Sequence, residues 1–242
     1  MKSISFVALA AACAAPVLAT AGVRVTGTRF VYPGNEKEIV VELSNDGKNP
    51  ALVQTWLDAG KADMQLGADK LPFVVLPPLA RVEAGKGQSI RISYVGGALP
   101  QDRESVFWIN VLEVPPKVKD GDGKNFMQVA LRTRMKMFYR PKGLQGSVED
   151  SAQAMRWSVV PAGAGYALRA TNDSAYDVTY TGLTLNAGGT HYDNKQGGMV
   201  APHGSLDFPL DGLHGPVASG QVEATWLNDF GTGAKHAYAL KP

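Results

Sequence analysis

The sequence is short of the groups that most chemistry needs. Among 242 residues there is a single cysteine, Cys13, and it lies in the first apolar stretch. Removal of that stretch leaves no thiol, so neither a disulfide framework nor a sulfur-ligated metal is available, and stability has to come from apolar cores. The four histidines, His191, His203, His214 and His236, all fall in the second half and lack metal-ligand spacing. No G-x-S-x-G or H-E-x-x-H pattern occurs. Asp120-Gly121-Asp122-Gly123 fails as a calcium loop, because Lys124 and Asn125 stand where the fifth ligand and the glycine belong. Gly231-Thr232-Gly233-Ala234-Lys235 is too short for a phosphate loop and reads as a hairpin turn. No catalytic constellation, metal site or cofactor is therefore expected. The formal net charge of +2, with both signs mixed along the chain, gives no footprint for nucleic acid. Beyond residue 21 no apolar run is long enough to span a bilayer.

What is present begins with an export pattern. Lys2 supplies a positive start, residues 4–18 are apolar and alanine-rich, and Ala19-Thr20-Ala21 has the form of a cleavage site. Residues 1–21 are expected to be a signal peptide and Gly22 the first residue of the mature chain. Lipidation at Cys13 is the weaker alternative, since it would cut the apolar segment in half.

The remainder has almost no helical periodicity. Short alternating runs are broken by Gly, Pro, Asn and Asp, the pattern of an all-β protein. Strands are expected over residues 23–32, 38–43, 51–58, 88–95, 105–114 and 126–139, the last being the longest. After Pro141-Lys142-Gly143 the pattern restarts, over residues 155–160, 166–170, 176–185, 205–210, 221–227 and 235–240. About seven strands on either side of a short Pro/Gly junction predict two sandwich domains, residues 22–142 and 143–242, joined by a fixed elbow. One large β-sandwich is the competing arrangement.

One segment is far more specific. Leu99-Pro100-Gln101-Asp102-Arg103-Glu104-Ser105-Val106-Phe107-Trp108-Ile109-Asn110-Val111-Leu112-Glu113-Val114-Pro115-Pro116 resembles the motif of the periplasmic chaperones of the chaperone–usher pilus pathway, the PapD-like family. Thr28-Arg29-Phe30 with Ser44-Asn45, Lys136-Met137-Phe138-Tyr139-Arg140-Pro141, and Asn228-Asp229-Phe230-Gly231 resemble further family elements in the right order. The charged, glycine-rich residues 117–125 resemble the short-loop branch.

The resemblance implies two immunoglobulin-like β-sandwiches set as an L around a cleft. It implies that Arg29 and Lys136 bind the C-terminal carboxylate of a pilus subunit. Met127, Val129 and Leu131 would be the side chains of a strand lent to that subunit. Glu104, Arg140 and Asp229 would form a charge network between the domains. The implied partners are pilus subunits and an outer-membrane usher, with the unliganded edge strand free for self-association. No nucleic acid, stable membrane insertion, cofactor or enzymatic step is implied.

Without the resemblance, Arg29 and Lys136 would be solvated strand charges, and Met127, Val129 and Leu131 would be core. An apolar edge strand is an aggregation hazard, however, so its retention points to a partner that pairs there. The competing function is a secreted two-domain immunoglobulin-like adhesion or binding module. A periplasmic hydrolase has no residues behind it.

Overall fold

The computed structural model describes residues 22–60, 70–114, 129–163 and 165–240. The first half folds into nine strands: β1 (Val23–Val25), β2 (Arg29–Pro33), β3 (Glu38–Asn45), β4 (Ala51–Asp58), β5 (Phe73–Leu76), β6 (Leu79–Val82), β7 (Gly87–Tyr94), β8 (Ser105–Val114) and β9 (Leu131–Arg140). They form a four-stranded sheet, β1-β3-β7-β5, facing a five-stranded one, β2-β9-β8-β4-β6. Period-two alternation fills the space between. Ile90 and Ile92 of β7 point inward while Arg91 between them is exposed, and Phe107, Ile109 and Val111 of β8 meet them from the other sheet.

A single short helix, α1 (Val148–Gln153), opens the second half. Ser147 caps it by accepting a hydrogen bond from the Asp150 N–H at 3.1 Å. Then follow β10 (Arg156–Ala162), β11 (Gly165–Asn172), β12 (Val178–Ala187), β13 (Thr190–Asn194), β14 (Gly198–Val200), β15 (Gly204–Pro209), β16 (Gly220–Leu227) and β17 (Gly233–Leu240). A β10-β11-β15 sheet packs on a β13-β12-β16-β17 sheet, to which β14 adds by pairing with β12. Trp157, Tyr180, Phe208 and Tyr238 form the aromatic centre of this second core, and Val148 and Ala152 of α1 close one side of it.

Several elements differ from the sequence expectation. The expected strand over residues 23–32 is two strands in two different sheets. The chain turns at Gly27, whose φ of 120° is open to glycine, so that β1 pairs with β3 while β2 crosses to β9. β5 and β6 have four residues each on either side of Pro77-Pro78, too short for alternation to register. β13, β14 and α1 escape for the same reason. Residues 126–128 of the expected long strand lie outside the described residues.

The β2–β9 pairing is parallel, in register Arg29↔Lys136 through Pro33↔Arg140. It covers only the second half of β9. β8 pairs with β9 along its whole length, from Glu113↔Leu131 to Ser105↔Tyr139.

Ile109, fully buried in the strand between β4 and β9, carries the first core. Ile109→Ala is expected to cost about 2–5 kcal/mol of stability through lost burial and the cavity left behind. Equilibrium urea unfolding followed by Trp fluorescence checks this.

Candidate functional site: a cationic cleft beside an open strand edge

The partial β2–β9 pairing leaves the backbone edge of β9 over residues 131–135 without a partner strand among the described residues. Met135, Met137 and Tyr139 point into the first core. Leu131 shares their face by period two, but there the opposing sheet no longer covers it, and it is 56% exposed. Val129, just before the strand, is 65% exposed. Met127 lies outside the described residues. The core face of β9 thus continues through Thr133 and the aliphatic Leu131 into open space.

At the inner end of this edge the register sets two cations side by side. Arg29 opens β2 and Lys136 is its partner on β9. Arg29 is 9% exposed, with its guanidinium 4.5 Å from the centre of the Phe138 ring. Its Nη1 donates at 3.0 Å to the main-chain carbonyls of Leu227 and of Asn228 in the second domain, while its buried Nε has no acceptor. Lys136 is half-buried, its Nζ 5.5 Å from the Trp108 ring centre. Among the described residues no hydrogen bond or salt bridge engages this ammonium. Burial and the neighbouring Arg29 push its pKa down, and Asp177 opposes them. Burial likewise lowers Arg29, against the field of Asp229 and Glu104. Two desolvated like charges, one with an unused donor, constitute a site in want of an anion.

The turn that receives Arg29 is built for close approach. Asn228 Oδ1 accepts from the N–H groups of Phe230 and Thr232 at 3.0 and 2.9 Å. Gly231 has a φ of 81°, and a Cβ there would collide with Thr28 Oγ1 across the domain boundary. Glycine is required on both counts.

Beside it, Glu104, Arg140 and Asp229 meet. Arg140 Nε donates to Glu104 Oε1 at 2.7 Å, and its Nη1 and Nη2 donate to the two Asp229 oxygens at 2.8 Å each. Glu104 Oε2 accepts from the Asp177 N–H at 2.8 Å, and the Glu104 N–H donates to Ala175 O at 2.9 Å. The Arg140 guanidinium also lies 5.1 Å from the Tyr176 ring centre. Burial pushes the Glu104 carboxyl above its ordinary value in spite of Arg140. Opposing carboxylates and the aligned fork hold Arg140 well above its own. The Arg140–Glu104 pair lies within the first domain, and each of the other bonds joins that domain to the second.

Sequence reasoning missed a second cluster, on the outer face of β9. Arg134 donates to both oxygens of Asp58 and lies 4.1 Å from the Trp108 ring centre. Asn110 Nδ2 donates to Asp58 Oδ2 at 2.7 Å, while Asn110 Oδ1 accepts from Arg132 at 2.7 and 2.9 Å. Arg132 lies 5.0 Å from the Trp56 ring centre. Burial raises the Asp58 carboxyl, but hydrogen bonds from Arg134, Asn110 and the Gly60 N–H outweigh it and leave the carboxyl below its usual value. The available signal was an Asn110 set inside the apolar run of residues 105–114, since a polar group buried in a strand demands partners. Among the described residues no group of His, Cys, Asp and Glu is placed to hold a metal ion, and no helix is long and apolar enough to cross a membrane.

Comparison with known proteins accords with this architecture. The model of the PapD N-terminal domain of pili and flagellar-assembly chaperones matches residues 22–145, and that of the PapD C-terminal domain of pili assembly chaperones matches residues 150–238. The chain is 40% identical over 216 residues to the probable fimbrial chaperone YadV of Escherichia coli, covering 87% of each. It is 40% identical over 217 residues to the chaperone protein FimB/FhaD of Bordetella pertussis, covering 88% of this chain and 86% of that one. The crystal structure of the YadV chaperone superposes with a TM-score of 0.77 at 38% identity, covering 91% of this chain and all of that one. The SafB chaperone, solved with the SafA pilin of Salmonella enterica, gives 0.74 at 26% identity, covering 93% of this chain and 99% of that one. With both domains matched in order and the relatives spanned nearly end to end, the chain belongs to the PapD-like family of pilus-assembly chaperones.

Proposed function

We propose that this chaperone caps an unfinished pilus subunit by lending it the open edge of β9, with Arg29 and Lys136 holding the subunit's terminal carboxylate. The observation that carries the reading is one of continuity. The edge over residues 131–135, unpaired among the described residues, runs directly into the Arg29↔Lys136 pair, where a buried guanidinium Nε has no acceptor among them.

Strand addition supplies backbone hydrogen bonds along the edge, and the aliphatic side chains supply apolar burial. Val129 and Leu131, with Met127 ahead of them, would each contribute roughly 1.5–3 kcal/mol if fully buried in a partner's groove. Charge-assisted hydrogen bonds to the carboxylate add on the order of 1.5–3 kcal/mol each. Their larger effect is on register. Pinning the chain end at one point forbids the one-residue slip that would turn every inserted side chain outward. The Glu104–Arg140–Asp229 network acts one step back, fixing the elbow and with it the cleft.

On the same reading, residues 1–21 direct export and are removed. The mature chain works in the periplasm as domains 22–142 and 143–242 and passes its subunit to an outer-membrane usher. The action is binding, with no chemical step.

Arg29→Ala and Lys136→Ala are expected to give folded, exported protein that no longer co-purifies with a co-expressed pilus subunit; full recovery of the subunit with either variant defeats the anchor. Leu131→Asp, at an exposed site, should leave the urea midpoint of the free chaperone nearly unchanged yet abolish subunit recovery. Arg140→Ala strands the buried Glu104 carboxylate and is expected to destabilise the protein by about 3–5 kcal/mol. Loss of cooperativity between the two domains in calorimetry would accompany it.

A further inference from the structure

Asp177 has no part in the reading above, yet it lies at the centre of the cleft's charge. It immediately precedes β12 and is 3% exposed. Its own N–H is committed to Glu104 Oε2, which holds the two carboxyl groups near one another. The charges it faces from the packed elements are Arg29 on β2, Glu104 just before β8, and Lys136 on β9; Arg140 and Asp229 stand behind Glu104. Glu104 is already spent on Arg140, and Arg140 on Glu104 and Asp229. Lys136 therefore looks to Asp177 for balance, and Arg29 does so in smaller part, beside the larger fields of Asp229 and Glu104. They do so through the field, since among the described residues neither donates a hydrogen bond to its carboxylate.

We propose that Asp177 is the internal counter-ion of the cleft: it balances Lys136 and Arg29 while the cleft is empty, and accepts a proton from solvent onto its carboxylate when a partner's terminal carboxylate enters, so that capture is coupled to proton uptake. This rests on the carboxylate-anchor reading of Arg29 and Lys136.

The electrostatics support it. Burial first, and then Glu104, push Asp177 up to about 7, while Lys136 and Arg29 hold it down. An arriving carboxylate engages those two cations and adds a second negative charge to a desolvated space. Both changes favour the protonated form, as they do for any two carboxyl groups sharing a site. The sign follows. At a pH above the empty-cleft value Asp177 is charged and must be protonated on capture, so affinity falls as pH rises. Below that value it is already neutral, and the dependence flattens. Coupling to one proton sets a ceiling of about tenfold in affinity per pH unit. Lys136, whose pKa is lowered, would give the same sign by losing its charge, so the test has to separate the two.

The probe is a synthetic 13-residue peptide of alternating valine and threonine ending in a free carboxylate, alongside the same peptide ending in an amide. Calorimetric titration of the mature protein, in two buffers of different ionisation enthalpy near pH 7.5, counts the protons taken up. The expected result is preference for the acid peptide, uptake approaching one proton, and affinity rising severalfold per unit as the pH is lowered from about 8.5 to 7. Asp177→Asn should abolish uptake and bind the acid peptide at about pH 8 as tightly as the wild type does at about pH 6. Asp177→Ser serves if the amide disturbs folding. Preference for the acid peptide without uptake, or with uptake unchanged in the Asp177 variants, overturns the proposal and leaves the anchor standing. Equal binding of acid and amide peptides overturns the anchor itself.

Discussion

The structure depends on where β2 stops. Parallel pairing begins at Arg29↔Lys136 and runs toward Arg140, so among the described residues the earlier half of β9 keeps a free edge. Had β2 begun five residues sooner, that edge would be filled and the sheet closed. It cannot, because the chain swings at Gly27 from the opposite sheet, where β1 is committed to β3. One glycine in a conformation other residues avoid therefore sets the length of the open edge and sets Arg29 beside Lys136 at its inner end. The edge and the cationic pair are two consequences of one strand crossing between sheets.

The second constraint is the elbow. The domains meet through charged and main-chain groups, with Arg140 at the hub and Glu104 almost wholly buried beneath it. Such a network gives little net stability, because both partners give up hydration, but a broken one is costly, because a buried charge is left alone. Geometry is what it provides. The same bonds that hold Glu104 also place the start of β12, and the turn that receives Arg29 lies beside Asp229. The cleft's charges are thereby fixed relative to both sandwiches.

Much of this was legible in the sequence, for identifiable reasons. The long strands announced themselves because period two needs several residues to show, and β3, β4, β7, β8 and β16 have eight or more. β5, β6, β14 and α1 were invisible because three to six residues carry no period. The split of the first strand was hidden because Gly27 looks like any turn glycine until the partner strands are known. Arg29, Lys136, Glu104, Arg140 and Asp229 could be named only through resemblance, since nothing in local sequence distinguishes a cleft cation from a solvated one. Asp58, Arg134 and Asp177 went unnoticed for the converse reason. Their significance lies in contacts across 52 to 76 positions, or in shared fields, that no local pattern encodes.

An open apolar edge has to avoid pairing with everything it meets, and the outer face of β9 bears on how. Arg132 and Arg134 alternate with Leu131, Thr133 and Met135, so any strand aligning on the edge from residue 131 onward meets two guanidinium groups on one side. Those groups are not free to swing away. Asp58 and Asn110 hold them, and Trp56 and Trp108 support them from beneath. Charge beside an edge is a recognised defence against indiscriminate pairing. Here it is fixed rather than floating, which makes it directional. A partner can approach along the inner, aliphatic face while the outer face remains charged and hydrated. The buried Asp58 carboxylate, which by itself would be costly to desolvate on this sheet face, is the group that holds this defence in place.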